Sequence, residues 1–164
     1  MWDVIVIGGG PSGMIAAGKA GSMGKKVLLL EKNSVLGKKL LITGGGRCNI
    51  TNNKTNTREM LAKYKGNDKF LFSAFSQFNV NDTLSFFNDK GLATKEENEG
   101  RMFPVTDKAE SVYNVLYKYM DQGGVKIQKG SIVGGITIEK VTGHVCVATK
   151  SGNMIYAKSC IVAT

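Results

Sequence analysis

The sequence is poor in proline, histidine and acidic side chains, and it has no long apolar run. Two prolines against 21 glycines exclude a proline-rich linker and point to tight turns in a packed domain. His144 is the single histidine. With no Cys or carboxylate at ligand spacing it is expected at the surface beside a hairpin turn, and no metal site is expected. The three cysteines include no C-x-x-C pair, which argues against a disulfide scaffold and a dithiol redox motif and fits a reducing compartment. No stretch approaches the roughly 20 apolar residues that span a bilayer. Residues 1–8, MWDVIVIG, lack the basic start and longer apolar core of a secretory signal. The expected location is the cytoplasm, with no membrane partner.

Acidic residues number 13 against 22 basic ones, for a net charge of +9. The imbalance is local. From Lys19 to Arg58 there are nine Lys or Arg and one acid, Glu31, a local excess of +8. Such a field suits a polyanion, either a dinucleotide pyrophosphate or a nucleic-acid backbone; taken singly, each lysine also fits a solvated surface. The 164 residues suffice for one domain with its own core.

DVIVIG (residues 3–8) is a β-branched run without polar alternation, as expected of a parallel strand buried on both faces. Gly8, Gly10 and Gly13 follow at G-x-G-x-x-G spacing, with Pro11 and Ser12 opening a small-residue helix that stops near Gly21 to Gly24. KKVLLLEKN is a second buried strand, and it ends in Glu31, 18 residues beyond Gly13. In this context each part has a physical task. Gly8 makes the tight turn, Gly10 lets backbone approach a pyrophosphate, and Gly13 lets the helix pack close to the strand. The helix N-terminus offers N–H groups and a positive dipole end to phosphates. Glu31 can accept from an adenosine ribose and would repel a 2′-phosphate, which favours FAD or NAD over NADP at this loop.

Residues 52–122 read as an insertion with three helical stretches, two short strands around a polar turn, and a further helix over DKAESVYNVLYKYMDQGG with Asp107 and Glu110 at capping-box spacing. The phenylalanines at 70, 72, 75, 78, 86 and 87 are expected to form helix core. Beyond Gly124 the pattern is all strand, in the pieces VKIQKG, GITIEKVTG, HVCVATKSG, MIYAKS and CIVAT. Short glycine-containing turns join the middle pieces into an antiparallel meander.

A second glycine-rich loop, TGGGRCN, covers residues 43–49. Three consecutive glycines let backbone N–H groups approach a ligand. Arg47 offers a planar fork of donors and Asn49 can donate or accept. Cys48 could be a nucleophile, although a small buried cysteine is the commoner role. These three are the candidate catalytic residues.

GKKLLITGGGRCNITN, following a dinucleotide fingerprint and accompanied by EGRMFPVTDKAESV, resembles the BaiN/YhiN-like, or aminoacetone oxidase-like, NAD(P)/FAD-dependent oxidoreductases. The resemblance runs across essentially the whole chain. It implies an α/β fold, Rossmann-like and FAD-binding, of glutathione-reductase type with a β-meander crossover. The implied cofactor is FAD, with NAD(P)H as a possible electron donor in the complete enzyme, and the implied partner is a small organic substrate rather than nucleic acid. By this analogy the ADP half of FAD lies at Gly8, Gly10, Pro11, Ser12, Gly13, Glu31 and Lys32. The other half meets Gly44, Gly45, Gly46, Arg47 and Cys48, with Lys38 or Lys39 near phosphate or ribityl groups and Val133 near the adenine. One long cofactor would then need two cradles.

Family members are longer. The chain is therefore expected to be the N-terminal portion of an FAD-binding domain, residues 1–164, without the inserted substrate domain or the returning glycine-rich segment. Two other readings stay open: a catalytically inert nucleotide-binding fragment, and a tRNA-modifying flavoprotein suggested by the charge. NAD in place of FAD at the first loop is also open.

Overall fold

The computed structural model describes residues 1–54 and 56–164; Thr55, inside the expected insertion, lies outside the described residues. In chain order the elements begin with β1 (Trp2–Ile7), α1 (Pro11–Ser22) and β2 (Val27–Leu30). There follow β3 (Thr51–Asn52), α2 (Thr57–Leu61), α3 (Asp68–Gln77), α4 (Val80–Asn88), β4 (Thr94–Glu97), β5 (Arg101–Pro104) and α5 (Ala109–Gln122). The last strands are β6 (Lys126–Gln128), β7 (Val133–Ile138), β8 (Val145–Thr149) and β9 (Met154–Val162). The chain divides into two compact units, Met1–Leu40 with Leu116–Thr164, and Leu41–Val115.

The first unit is built on a six-stranded sheet in the order β6, β2, β1, β9, β8, β7. β1 lies parallel between β2 and β9, in register from Val4–Val27 to Ile7–Leu30 on one side and from Trp2–Ala157 to Ile7–Val162 on the other. The β-branched and leucine runs end here for a simple reason: Ile5, Val6, Val27, Leu29 and Leu30 are almost wholly removed from water, each contributing about 1.5–3 kcal/mol of transfer free energy. α1 has only small side chains on the face that meets the end of α5. A Cβ at Gly18 would stand 2.4 Å from the Tyr119 ring, and one at Gly21 would stand 2.5 Å from the Gly123 carbonyl oxygen.

MIYAKS and CIVAT, expected as separate strands, form the single nine-residue strand β9. Its first half pairs antiparallel with β8, as far as Val145–Ala157, and its second half pairs parallel with β1 from Trp2–Ala157 onward. Ala157, fully buried, is the point where the strand changes partners. The meander and the parallel sheet are thus one sheet.

The second unit carries a three-stranded antiparallel sheet in the order β3, β5, β4 and a core that includes Leu61, Val80, Phe87, Leu92, Met102, Phe103 and Val112. α4 starts with a reciprocal capping box between Asn79 and Asp82, which satisfies otherwise orphaned N–H groups. Two expectations need correction. Of the phenylalanine stripe, Phe87 is core, but Phe70 is 85% exposed and Phe72 and Phe78 are exposed as well. Helix α3 has no buried residue, so its phenylalanines have no layer to enter. The second correction concerns α5. Asp107 has a left-handed backbone, with φ 54, rather than the extended conformation of an N-cap, and its carboxylate is turned to Arg47 and Lys95.

Candidate functional site

The first loop leaves β1 at Gly8, whose φ of +107 is a conformation that only glycine adopts without strain. A Cβ on Gly8 would also strike the Ala163 backbone at 2.5 Å. At Gly13 the helix crosses so close to the turn that a Cβ would fall 1.9 Å from the Gly8 carbonyl oxygen. Gly10 differs from both, because nothing lies within 4 Å of the place its Cβ would occupy. It is the N-cap of α1, extended at φ −75 and ψ 177, with Pro11 next and no side chain capping the helix. The turn therefore leaves an open space in front of an uncapped helix N-terminus, where partial positive charge collects.

Glu31 stands beside that turn, 7% exposed. Its Oε2 accepts the Gly9 N–H at 2.7 Å, and its Oε1 accepts both the N–H of Asn33, at 2.7 Å, and the Asn33 side-chain Nδ2. The middle glycine of IGGGPSG is thereby explained: a Cβ on Gly9 would come within 2.9 Å of Glu31 Oε2 and within 2.5 Å of Leu36. The Gly37 N–H donates to the Gly9 carbonyl at 2.8 Å, tying the segment after Glu31 to the loop. The backbone of residues 128–131 brackets the carboxylate's own strand end, with Glu31 N–H donating to Gln128 and Ser131 N–H donating to Glu31. Gly9, Asn33 and Gly37 were not marked by the G-x-G-x-x-G spacing; the extra glycine of the GGG triplet is the one sequence signal for them.

The remaining candidates of this unit are placed less closely. Lys32, Lys38, Lys39, Pro11 and Ser12 are exposed. Val133 packs its side chain against the sheet core, and its backbone pairs with Thr149 of β8.

In the second unit, Gly44, Gly45 and Gly46 form a left-handed turn, with φ of 55, 67 and 85, and Cys48 is left-handed again at φ 62. Cys48 N–H closes it onto the Thr43 carbonyl at 3.0 Å. Cys48 itself is buried, and burial pushes its thiol above the ordinary cysteine range, with a hydrogen bond to Thr43 acting the other way. The Asn49 amide, oriented to satisfy its neighbours, donates to the carbonyls of Thr51 (2.9 Å) and Met102 (3.2 Å).

Arg47 is committed to internal partners. Its guanidinium lies over the Phe103 ring, 4.3 Å from the centroid. Nε donates to Asp107 Oδ1 at 2.9 Å, and Nη2 donates to both Asp107 and Glu97. Lys95 closes the quartet on Asp107 at 2.6 Å and on Glu97 at 3.5 Å. Hydrogen bonding to Arg47 holds the Glu97 carboxyl below its usual range, and Lys95, followed by Arg47, does the same for Asp107. The guanidinium is correspondingly held more firmly protonated. The donors expected to serve a ligand thus brace the loop they belong to.

A cleft of about 760 Å³ lies elsewhere in the second unit, lined by Asn52, Lys54, Met60, Lys63, Tyr64 and Glu99 among others, and none of the candidate site residues lines it. Among the described residues no cluster of three or more His, Cys, Asp or Glu could hold a metal, and no helix is long and apolar enough to cross a membrane.

Comparison with known proteins gives this geometry its context. Residues 2–164 match the family described as HI0933-like protein Rossmann domain. The chain is 33% identical over 132 residues to the ribosomal RNA dihydrouridine synthase of Escherichia coli, covering 80% of this chain and 32% of that protein. It is 40% identical over 128 residues to the 3-dehydro-bile acid delta(4,6)-reductase of Clostridium scindens, covering 76% and 30%. The chain thus spans about a third of the length of these curated relatives. Among solved structures, THI4 of Thermovibrio ammonificans superposes with a TM-score of 0.68 at 16% identity, over 99% of this chain and 57% of that one, a likeness of fold alone. The chain belongs to the HI0933-like family and has its α/β Rossmann-like, FAD-binding type of fold.

Proposed function

We propose that the chain is the FAD-binding part of a flavoprotein oxidoreductase that reduces a carbon–carbon double bond conjugated to a carbonyl. The observation that carries the cofactor reading is the open space at Gly10, in front of the uncapped N-terminus of α1. A pyrophosphate fits there sterically and electrostatically. Glu31, anchored beside the loop by Gly9 and Asn33, is positioned to accept from the adenosine ribose, and its charge disfavours a 2′-phosphate. The first loop, Glu31 and Lys32 would hold the ADP half, with Val133 near the adenine. For Lys38 or Lys39, the proposed contribution is ammonium donors to the polar edges of the cofactor. When bound, FAD supplies two-electron transfer to and from carbon.

The substrate class rests on what the relatives' names share. A dihydrouridine synthase saturates the ring double bond of uridine, which is conjugated to a carbonyl, and a delta(4,6)-reductase of a 3-dehydro-bile acid acts on double bonds conjugated to a 3-ketone. A small organic enone is the leading candidate, with NAD(P)H as electron source. A nucleic-acid substrate is the second reading, favoured by the +9 charge and by the relative named for ribosomal RNA; RNA binding that weakens steeply with salt would mark it. The cysteine usage supports a cytoplasmic setting.

The test is to equilibrate the chain with FAD, remove free cofactor, record the visible spectrum, then reduce the bound flavin anaerobically and add a conjugated ketone. Retained flavin that is reoxidised by the enone supports the reading. A colourless chain removes the cofactor assignment. Retained flavin that reoxidises only in air favours the reading of a catalytically inert nucleotide-binding fragment.

A further inference from the structure

Glu31 is more fully occupied than a ribose-binding carboxylate needs to be. An ionised carboxylate offers about four acceptor positions, two on each oxygen. Three are taken within the protein. Oε1 receives the backbone N–H of Asn33 at 2.7 Å and the Asn33 Nδ2 at 2.5 Å, and Oε2 receives the Gly9 N–H at 2.7 Å. Both acceptor positions of Oε1 are filled, and one position on Oε2 is left.

We infer that Asn33 restricts Glu31 to a single ribose hydroxyl of a bound adenosine, making Asn33 the residue that sets which hydroxyl this site reads. The inference rests on the proposal that the first loop takes the ADP half of FAD. The backbone contributions from Gly9 and from the Asn33 N–H are independent of side-chain identity, whereas the Nδ2 contribution is not. Glu31 is 7% exposed, so water has little room to rearrange the carboxylate, and the Asn33 amide decides whether a second acceptor position on Oε1 is open. The Gly130 N–H donates to the Asn33 carbonyl at 3.1 Å, which holds the Asn33 backbone in place whatever its side chain.

The experiment is a calorimetric titration of the chain with ADP, 2′-deoxy-ADP and 3′-deoxy-ADP, repeated on Asn33→Ala. For the unsubstituted chain, one deoxy analogue should bind within about twofold of ADP and the other about tenfold or more weakly, the loss expected for one hydrogen bond to a charged acceptor. In Asn33→Ala both analogues should be weaker than ADP, because the freed position on Oε1 accepts the second hydroxyl. A residue that merely supported the fold would lower all three affinities together and leave their ratios unchanged. Comparable losses for both analogues in the unsubstituted chain would overturn the inference without any variant. Unchanged ratios in a folded Asn33→Ala would overturn it too. No ADP binding at all would instead overturn the cofactor assignment, and this inference with it.

Discussion

Gly13 crosses Gly8 so closely that a Cβ on Gly13 would fall 1.9 Å from the Gly8 carbonyl oxygen. The obstructing atom belongs to the backbone of the turn that leaves β1, so it cannot rotate away as a side chain could. Gly13→Ala should therefore cost about 3 kcal/mol or more, at or above the upper end of overpacking penalties. Urea denaturation would show this as a lowered midpoint, and a midpoint unchanged from the unsubstituted chain would contradict the packing described.

Gly10 should behave in the opposite way. With nothing within 4 Å of its Cβ position and an extended backbone that a β-branched residue tolerates, Gly10→Val should change stability by no more than about 1 kcal/mol. It should nonetheless weaken ADP binding by about tenfold or more, since the side chain fills the space proposed for the pyrophosphate. Thermal unfolding and calorimetry on the same preparation separate the two effects.

Much of this first site was readable from the sequence because it is local. The buried runs, the glycine spacing and an acid at the end of the second strand all lie within residues 2–31, where strand and helix periods act directly. Asn33 was missed because its role depends on a hydrogen bond to a carboxylate whose own orientation is set by Gly9. The commitment of Arg47 was missed for another reason: its partners Glu97 and Asp107 are 50 and 60 residues away, beyond any spacing rule. β9 reads as two strands because KS interrupts the apolar pattern, yet the sheet continues through it by exchanging β8 for β1 at Ala157. The exposed Phe70 and Phe72 show the limit of composition, since apolar character marks what can be buried and not what is.

The Arg47 quartet should leave a signature in acid. Glu97 and Asp107 have carboxyls held below their usual ranges in the folded chain. Depressed folded values mean that their contribution to stability is complete above the unfolded values and is lost as pH falls through the folded ones. Arg47→Met should therefore unfold at lower temperature than the unsubstituted chain at neutral pH, and the gap should narrow below about pH 4. Because the side chains are about a third exposed, about 1 M salt should narrow it as well. Unfolding temperatures from neutral pH to pH 3, with and without salt, check both; a gap independent of pH would assign the loss to the Phe103 stacking alone.

Cys48 should be a poor nucleophile. Burial raises its thiol above the ordinary range, as it does for Cys160, so little thiolate is present near neutrality. Iodoacetamide labelling read by peptide mass spectrometry should find Cys48 modified more slowly in the folded chain than after unfolding, by on the order of tenfold or more. Rapid labelling of the folded protein at Cys48 would restore it as a catalytic candidate.

Competition between nucleotides decides whether the first loop holds the ADP half of FAD. The chain should be titrated with FAD while flavin fluorescence is followed, and the titration repeated with excess ADP and with excess FMN. FAD should bind saturably, and ADP should displace it competitively while FMN does not. FAD binding that ADP leaves untouched, or FMN binding as tight as that of FAD, would contradict that placement.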